Sequence, residues 1–493
     1  MESWAKHPVL YEVNTWVWLW ELSRKYRRPV FLRNVPAEEW DSVADLRVDA
    51  VWLMGIWERS PAGRRVALAN EGLREEFRRA LPDYTLGDVI GSAYCVRRYR
   101  VDEHLGGPEG LAEARKKLAD RGIRLILDFV PNHLAIDHPW VFEHPEYFIQ
   151  GNKEDLTRAS GEFFEAGGRI LAHGRDPYFP PWQDVGQLNA FHPGLRQDAI
   201  ETACDIASQC DGMRCDMAML LINEIFEKAW GPRTGVKPEE EYWRKLIPAV
   251  RTRFPDVLFI AESYWDLEWE LQQQGFDLCY DKRLYDRLVH DTAESVRLHL
   301  LADLTYQERL LRFIENHDEP RAASTFSPQK QRAAAITIGT LPGAKLFHEG
   351  QVEGRKVKLP VFLCRRPEEP ADSDLQAFYR KLLRTIDAPS LRGGHWQLCE
   401  RHGWPDNQSF VNLVAWCWRR EEERYLVAVN LSDRSVQCRV RLPWDDLKGH
   451  LWCLWDIFME KAYDRDGSEM VDPGLYVDIR PWGFHFLKWQ SCG

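Results

Sequence analysis

Four acids close short apolar runs in this 493-residue chain: Asp128 in "LILDFVPNH", Asp216 in "GMRCDM", Glu262 in "FIAESYW" and Asp318 in "FIENHDE". Carboxyl groups gathered at one place can attack, or give and take protons, once their surroundings push their pKa values apart. In "GMRCDM" an arginine stands two places before the aspartate. Strand alternation puts Gly212, Arg214 and Asp216 on one face, so the guanidinium lies beside the carboxylate and is expected to hold it ionised. In this stretch alone a structural ion pair reads the same way. Glu262 follows Phe259, Ile260 and Ala261, where desolvation and neighbouring carboxylates raise its pKa and keep a proton on it.

These acids must be positioned by the runs they end. Apolar or β-branched runs recur with helical stretches between them: "VLYEVN", "AVWLMGI", "IRLILDFV", "GMRCDMA", "VLFIAES", "FDLCYD", "LRFIENHD" and "GAKLFHEG". "GLAEARKKLADRG" and "LRQDAIETACDIASQC" are amphipathic and fit intervening helices. Eight strands alternating with helices predict an α/β chain built on a closed parallel (β/α)8 TIM barrel. In such a barrel chemistry sits at the C-terminal strand ends, so the four acids converge on one mouth. Two regions break the alternation. About sixty residues after "DFVPNH", rich in His, Pro, Gly and aromatic side chains, are too long for an ordinary loop and predict a small subdomain inserted after strand 3. From about Ala388 the pattern turns to strands, "FVNLVAWCWRR", "RYLVAVNLS", "QCRVRLP" and "YVDIRPWGFHFLKW", which predict a C-terminal antiparallel β-sandwich. The expected domains are therefore a barrel over 1–133 and 197–387, a subdomain over 134–196, and a sandwich over 388–493.

Composition narrows the partners. A net charge of −11 disfavours nucleic acid and anionic membranes, and no apolar run approaches the roughly 18 residues that span a bilayer. The start "MESWAKHPVLYEV" lacks the basic and apolar segments of a secretory signal, which points to a cytoplasmic protein. Eleven cysteines without a CxxC pair read as reduced core residues. Twenty-two tryptophans suit neutral ligands such as sugars, whose apolar ring faces pack on flat rings, although most will be core. "HLGGPEG" reads as a turn and helix start, and no Walker or dinucleotide fingerprint is present.

"DFVPNH", "GMRCD", the glutamate of "IAES" and "ENHD", in this order, resemble the four short regions of the α-amylase family, glycoside hydrolase family 13. "GSAYCVRRY", "LPGAKLFHEGQ" and "YLVAVNLS" extend the resemblance over nearly the whole chain. It implies a retaining enzyme acting on α-glucosidic bonds of α-1,4-glucans or maltooligosaccharides, with Asp216 as nucleophile, Glu262 as general acid/base and Asp318 as transition-state stabiliser. A retaining transglycosylase is the near alternative, and a non-catalytic sugar- or partner-binding barrel a more distant one. By the same comparison His133 and His317 match histidines that bind sugar hydroxyls, Tyr94 matches the aromatic platform under the sugar, and Asp128 supports Arg214 from behind. His173, Tyr178 and Trp182 of the insertion are expected on one wall of the cleft.

The resemblance has gaps. After the nucleophile the family commonly carries a lysine and a histidine, where this chain reads Met217, Ala218, Met219 and Leu220. Arg98 replaces an acid before the tyrosine that Tyr99 matches; it could bind an anionic sugar or form a surface salt bridge. The chemistry requires no cofactor. A structural calcium stays open, because Asn132 matches a residue that binds calcium in many members and Asp184 offers a second oxygen, yet two ligands fall short of the six to eight that calcium prefers. His133, His138 and His144 lack zinc-ligand spacing.

Overall fold

The computed structural model describes residues 4–159 and 161–490. All eight expected runs form strands: β1 (Val9–Asn14), β2 (Ala50–Met54), β3 (Arg124–Phe129), β4 (Gly212–Cys215), β5 (Leu258–Ala261), β6 (Leu278–Tyr280), β7 (Leu310–Arg312) and β8 (Ala344–His348). They are parallel and close into a barrel in sequence order, β8 pairing back onto β1. The amphipathic segments fold as helices Gly107–Ala119 and Pro193–Gln209 on its outside.

Alternation along each strand sorts the side chains into two layers. Val9, Tyr11, Val51, Leu125, Met213 and Phe259 belong to the layer packed under the helices. Leu10, Trp52, Ile126, Ile260, Tyr280 and Leu346 fill the barrel's interior. Two residues further along the interior face of β1, β3 and β5 come Glu12, Asp128 and Glu262, and on β4, whose Gly212 pairs with Ile126, comes Arg214. Register places Asp128 beside Arg214 and Arg214 beside Ile260. The interior is thus apolar at the bottom and charged at the C-terminal end.

Between β3 and β4 the chain builds a four-stranded antiparallel sheet, ordered His133–Ala135, Trp182–Gln187, Arg169–Gly174, Phe163–Ala166. After the barrel, a six-stranded and a three-stranded antiparallel sheet follow. Leu413, Ala415, Leu426 and Ala428 of the larger sheet pack against Val436, Val440, Val477 and Ile479 of the smaller. Its opposite face meets the barrel's outer layer, where Trp416 and Trp418 both donate their indole N–H to the Thr340 carbonyl. The ten described cysteines carry free thiols. Among the described residues no helix is long and apolar enough to cross a membrane.

Candidate active site

Arg214 stands at the centre of the charged end of the barrel, 1% exposed. Its Nη1 lies 2.5 Å from Asp216 Oδ1 and 3.6 Å from Asp128 Oδ1, and its Nη2 lies 2.9 Å from Glu262 Oε2. Its Nε donates to the Tyr280 hydroxyl at 3.2 Å. The guanidinium also lies 5.2 Å from the Trp52 ring centroid and 5.1 Å from that of Tyr94. One cation therefore serves three buried carboxyl groups.

Arg214 stands beside Asp216 as the alternation predicts, but it is shared. Burial raises the Asp216 pKa above the ordinary aspartate value, Asp128 and Asp318 add to the rise, and Arg214 opposes it without reversing it. Glu262 behaves as expected: burial, opposed by Arg214 and reinforced by Asp216 and Asp318, pushes it up to about 7. Asp128 is raised to about 6, chiefly by burial; its Oδ2 accepts from Trp52 Nε1 at 3.1 Å. For Asp318 burial works upward, but His317, Arg214 and Lys358 outweigh it and hold the carboxyl well below its usual range. The four acids thus differ in proton affinity, with Glu262 at about 7 and Asp128 at about 6, and Asp318 held charged.

Glu262 is held at both oxygens. Oε2 accepts the Met217 backbone N–H at 2.6 Å, and Oε1 accepts the Tyr264 hydroxyl at 3.0 Å. Met217 makes its contact from a left-handed backbone conformation (φ 45°), and Trp265 and Asp266 adopt the same region at φ 63° and 61°. Such non-glycine residues are strained and gather where a site needs a particular shape.

Of the other expected residues, Tyr94 and His317 join the site directly. Their rings stack at 5.2 Å, and the Tyr94 hydroxyl lies 2.7 Å from His317 Nε2, which is 3.0 Å from Asp318 Oδ2. His133 is buried, its pKa lowered to about 4 by desolvation, and its ring lies 5.0 Å from Trp182. Tyr178 is exposed and meets Trp265 edge-on at 4.9 Å, which ties the insertion to the segment after Glu262. His173 is buried within the inserted sheet, its Nδ1 3.1 Å from the Val185 carbonyl oxygen. Arg98 pairs with Glu58 at 3.5 Å, the surface ion-pair reading.

Asn132 and Asp184 do not fit a calcium site. Asn132 Oδ1 accepts from Gln187 Nε2 at 3.0 Å, which leaves one unpartnered carboxylate oxygen at Asp184. Among the described residues no three His, Cys, Asp or Glu side chains are grouped to hold a metal.

Sequence reasoning missed Glu12, Trp52, Tyr264, Tyr280 and Lys358. Glu12 Oε1 lies 2.5 Å from His317 Nδ1, and Lys358 Nζ donates to the Asp318 carbonyl. Alternation along "VLYEVN" was the available signal for Glu12, an acid on the face shared with Leu10.

Residues 37–177 match the model of the alpha amylase catalytic domain, and the matched segment contains Tyr94, Asp128 and His133. Over this segment the chain is similar to the α-amylase family. Alpha-amylase MalA of Haloarcula japonica is 23% identical over 400 residues, covering 79% of this chain and 50% of that protein. An intracellular maltogenic amylase of Bacillus subtilis is 20% identical, covering 64% and 52%. The chain thus spans about half the length of these two curated relatives. A solved noncanonic maltogenic alpha-amylase, AmyB from Thermotoga neapolitana, shares the fold at TM-score 0.68 and 17% identity, covering 98% of this chain and 99% of that one.

Proposed function

We propose that this chain is a retaining glycosidase of α-glucosidic bonds in α-1,4-glucans or maltooligosaccharides. The observation that carries the reading is Arg214 spanning Asp216 and Glu262, at 2.5 and 2.9 Å on its two terminal nitrogens. Retaining chemistry uses two carboxyl groups roughly 5 Å apart, one to attack the anomeric carbon and one to protonate the leaving oxygen. Two carboxyls shared by one guanidinium are compatible with that span.

In the proposed cycle Asp216 attacks the anomeric carbon while Glu262, whose raised pKa keeps a proton available, protonates the departing glycosidic oxygen. Glu262, now a carboxylate, takes the proton of the incoming water or acceptor hydroxyl, whose oxygen bonds to the anomeric carbon as the glycosyl–Asp216 bond breaks and frees the Asp216 carboxylate. Asp318, held charged by His317, faces the positive charge that develops on the sugar ring. Tyr94, His133, His317 and Trp182 would surround that ring. The chemistry needs no cofactor. The names of the relatives support an α-glucan substrate, and the free thiols suit a cytoplasmic location.

Proton NMR of the anomeric signals tests this, using a maltooligosaccharide and the purified chain. Fresh α-anomer with only shorter products is the expected result. Longer or relinked products would favour a transglycosylase. Asp216→Asn should abolish turnover while leaving ligand affinity in place; a fully active variant would remove the covalent intermediate from the account.

A further inference from the structure

His317 is 4% exposed, and each of its ring nitrogens faces a carboxylate oxygen: Nδ1 lies 2.5 Å from Glu12 Oε1, and Nε2 lies 3.0 Å from Asp318 Oδ2. A neutral imidazole has one N–H and one lone pair; the Tyr94 hydroxyl, 2.7 Å from Nε2, could donate to a lone pair there, but that lone pair would also face Asp318 Oδ2 at 3.0 Å, and only the imidazolium donates to both carboxylates. The ring cannot turn away from this choice easily. Tyr94 stacks on it at 5.2 Å and Trp52 meets it edge-on at 5.4 Å. Glu12 is fully buried on β1, and its second oxygen has no hydrogen-bond donor among the described residues. The histidine is thus its partner at hydrogen-bonding distance. Other charged or titratable groups near the ring include Asp318 on its own segment, Tyr94 beside it, Asp128 from β3, His348 from β8, and Arg214 from β4, whose guanidinium lies against the same Tyr94 and Trp52 rings.

We propose that Glu12 is a positioning residue that keeps His317 doubly protonated, so that its Nε2–H stays directed at Asp318 and the sugar hydroxyl beside it. Its catalytic consequence rests on the function proposed above. Without Glu12 the ring loses its Nδ1 proton more readily, which leaves Nε2–H on Asp318 but removes the positive charge and the second anchor that fix the ring against that carboxylate.

The experiment is ring-nitrogen NMR of the full chain labelled with 15N-histidine, with His317→Asn to assign the signal. In the wild type both nitrogens of His317 should be protonated at neutral pH. In Glu12→Gln the ring should titrate lower by about one pH unit or more. That variant's kcat/KM should fall about tenfold where the ring is neutral and recover toward wild type as the pH drops and the ring is protonated. A purely structural role would lower activity evenly across pH. A lone pair on wild-type His317 at neutral pH, an unshifted titration in the variant, or a pH-independent loss would each overturn the proposal. If Glu12→Gln does not fold, the wild-type ring's charge state decides alone. Ring protonation is read without turnover, so inactivity on glucans would sink the proposed function and leave the assignment to be judged by the NMR.

Discussion

Glu262 Oε2 stands 2.9 Å from Arg214 Nη2, so the group with a raised pKa is held by the same cation that binds Asp216. Removing that cation leaves Asp128, Asp216 and Glu262, all 7% exposed or less, without their shared partner. Arg214→Met keeps much of the volume and should destabilise the fold by about 3–5 kcal/mol at neutral pH. The deficit should shrink in acid, where the carboxyls take up protons. Urea denaturation at several pH values checks both; a deficit that stays constant with pH would show that uncompensated charge is not its cause.

Glu262 also gives the fold a pH dependence. Its pKa is about 7 in the folded chain against an ordinary 4.5, so the folded state binds the proton more tightly. That stability is fully present below 4.5 and is lost as the pH rises through about 7, up to about 3 kcal/mol for a shift of this size. Asp318 works in the opposite sense, but its window lies below the ordinary aspartate value of 3.8. Glu262→Gln should therefore gain stability relative to wild type as the pH is raised from about 4.5 to about 7. Denaturation midpoints across that range that move in parallel for the two proteins would contradict the shift.

The barrel was legible because each strand is a short apolar run and the acid that matters ends it or sits two residues past an interior hydrophobe. The acids at 128, 216 and 262 stand out in the sequence because they interrupt apolar stretches. Glu12 interrupts one too, but "VLYEVN" offers no cationic neighbour to draw attention to it, and its partner His317 is 305 residues away. Tyr264 and Tyr280 look like core aromatics in sequence, and only the folded chain shows that their hydroxyls meet Glu262 and Arg214. The sharing of Arg214 was equally invisible. Local alternation pairs it with Asp216, whereas the register with β3 and the neighbouring β5 bring Asp128 and Glu262 to the same guanidinium.

Trp182 packs its ring 5.0 Å from that of His133, at the strand pair that joins the insertion to the end of β3. A flat ring here can carry the apolar face of a sugar. Trp182→Ala should weaken maltooligosaccharide binding by about two- to tenfold, the scale of one aromatic contact. Calorimetric titration of the Asp216→Asn background with oligosaccharides of increasing length would measure it. Unchanged affinity at every length would take Trp182 out of the cleft.

The Tyr264 hydroxyl donates to Glu262 Oε1 at 3.0 Å, a bond stronger toward a carboxylate than toward a neutral carboxyl. It therefore pulls the Glu262 pKa down, against the burial that pushes it up to about 7. Tyr264→Phe removes the donor and keeps the ring, so the pKa should rise further, by about 0.5 to 1 unit for one hydrogen bond. In the proposed mechanism Glu262 must begin protonated, so activity is lost as the pH rises through its pKa. The alkaline limb of kcat/KM should accordingly move to higher pH in Tyr264→Phe while the acid limb stays. A limb displaced toward lower pH would mean that the hydroxyl chiefly accepts a proton from Glu262 and holds its neutral form. An unmoved limb would mean that another group sets it.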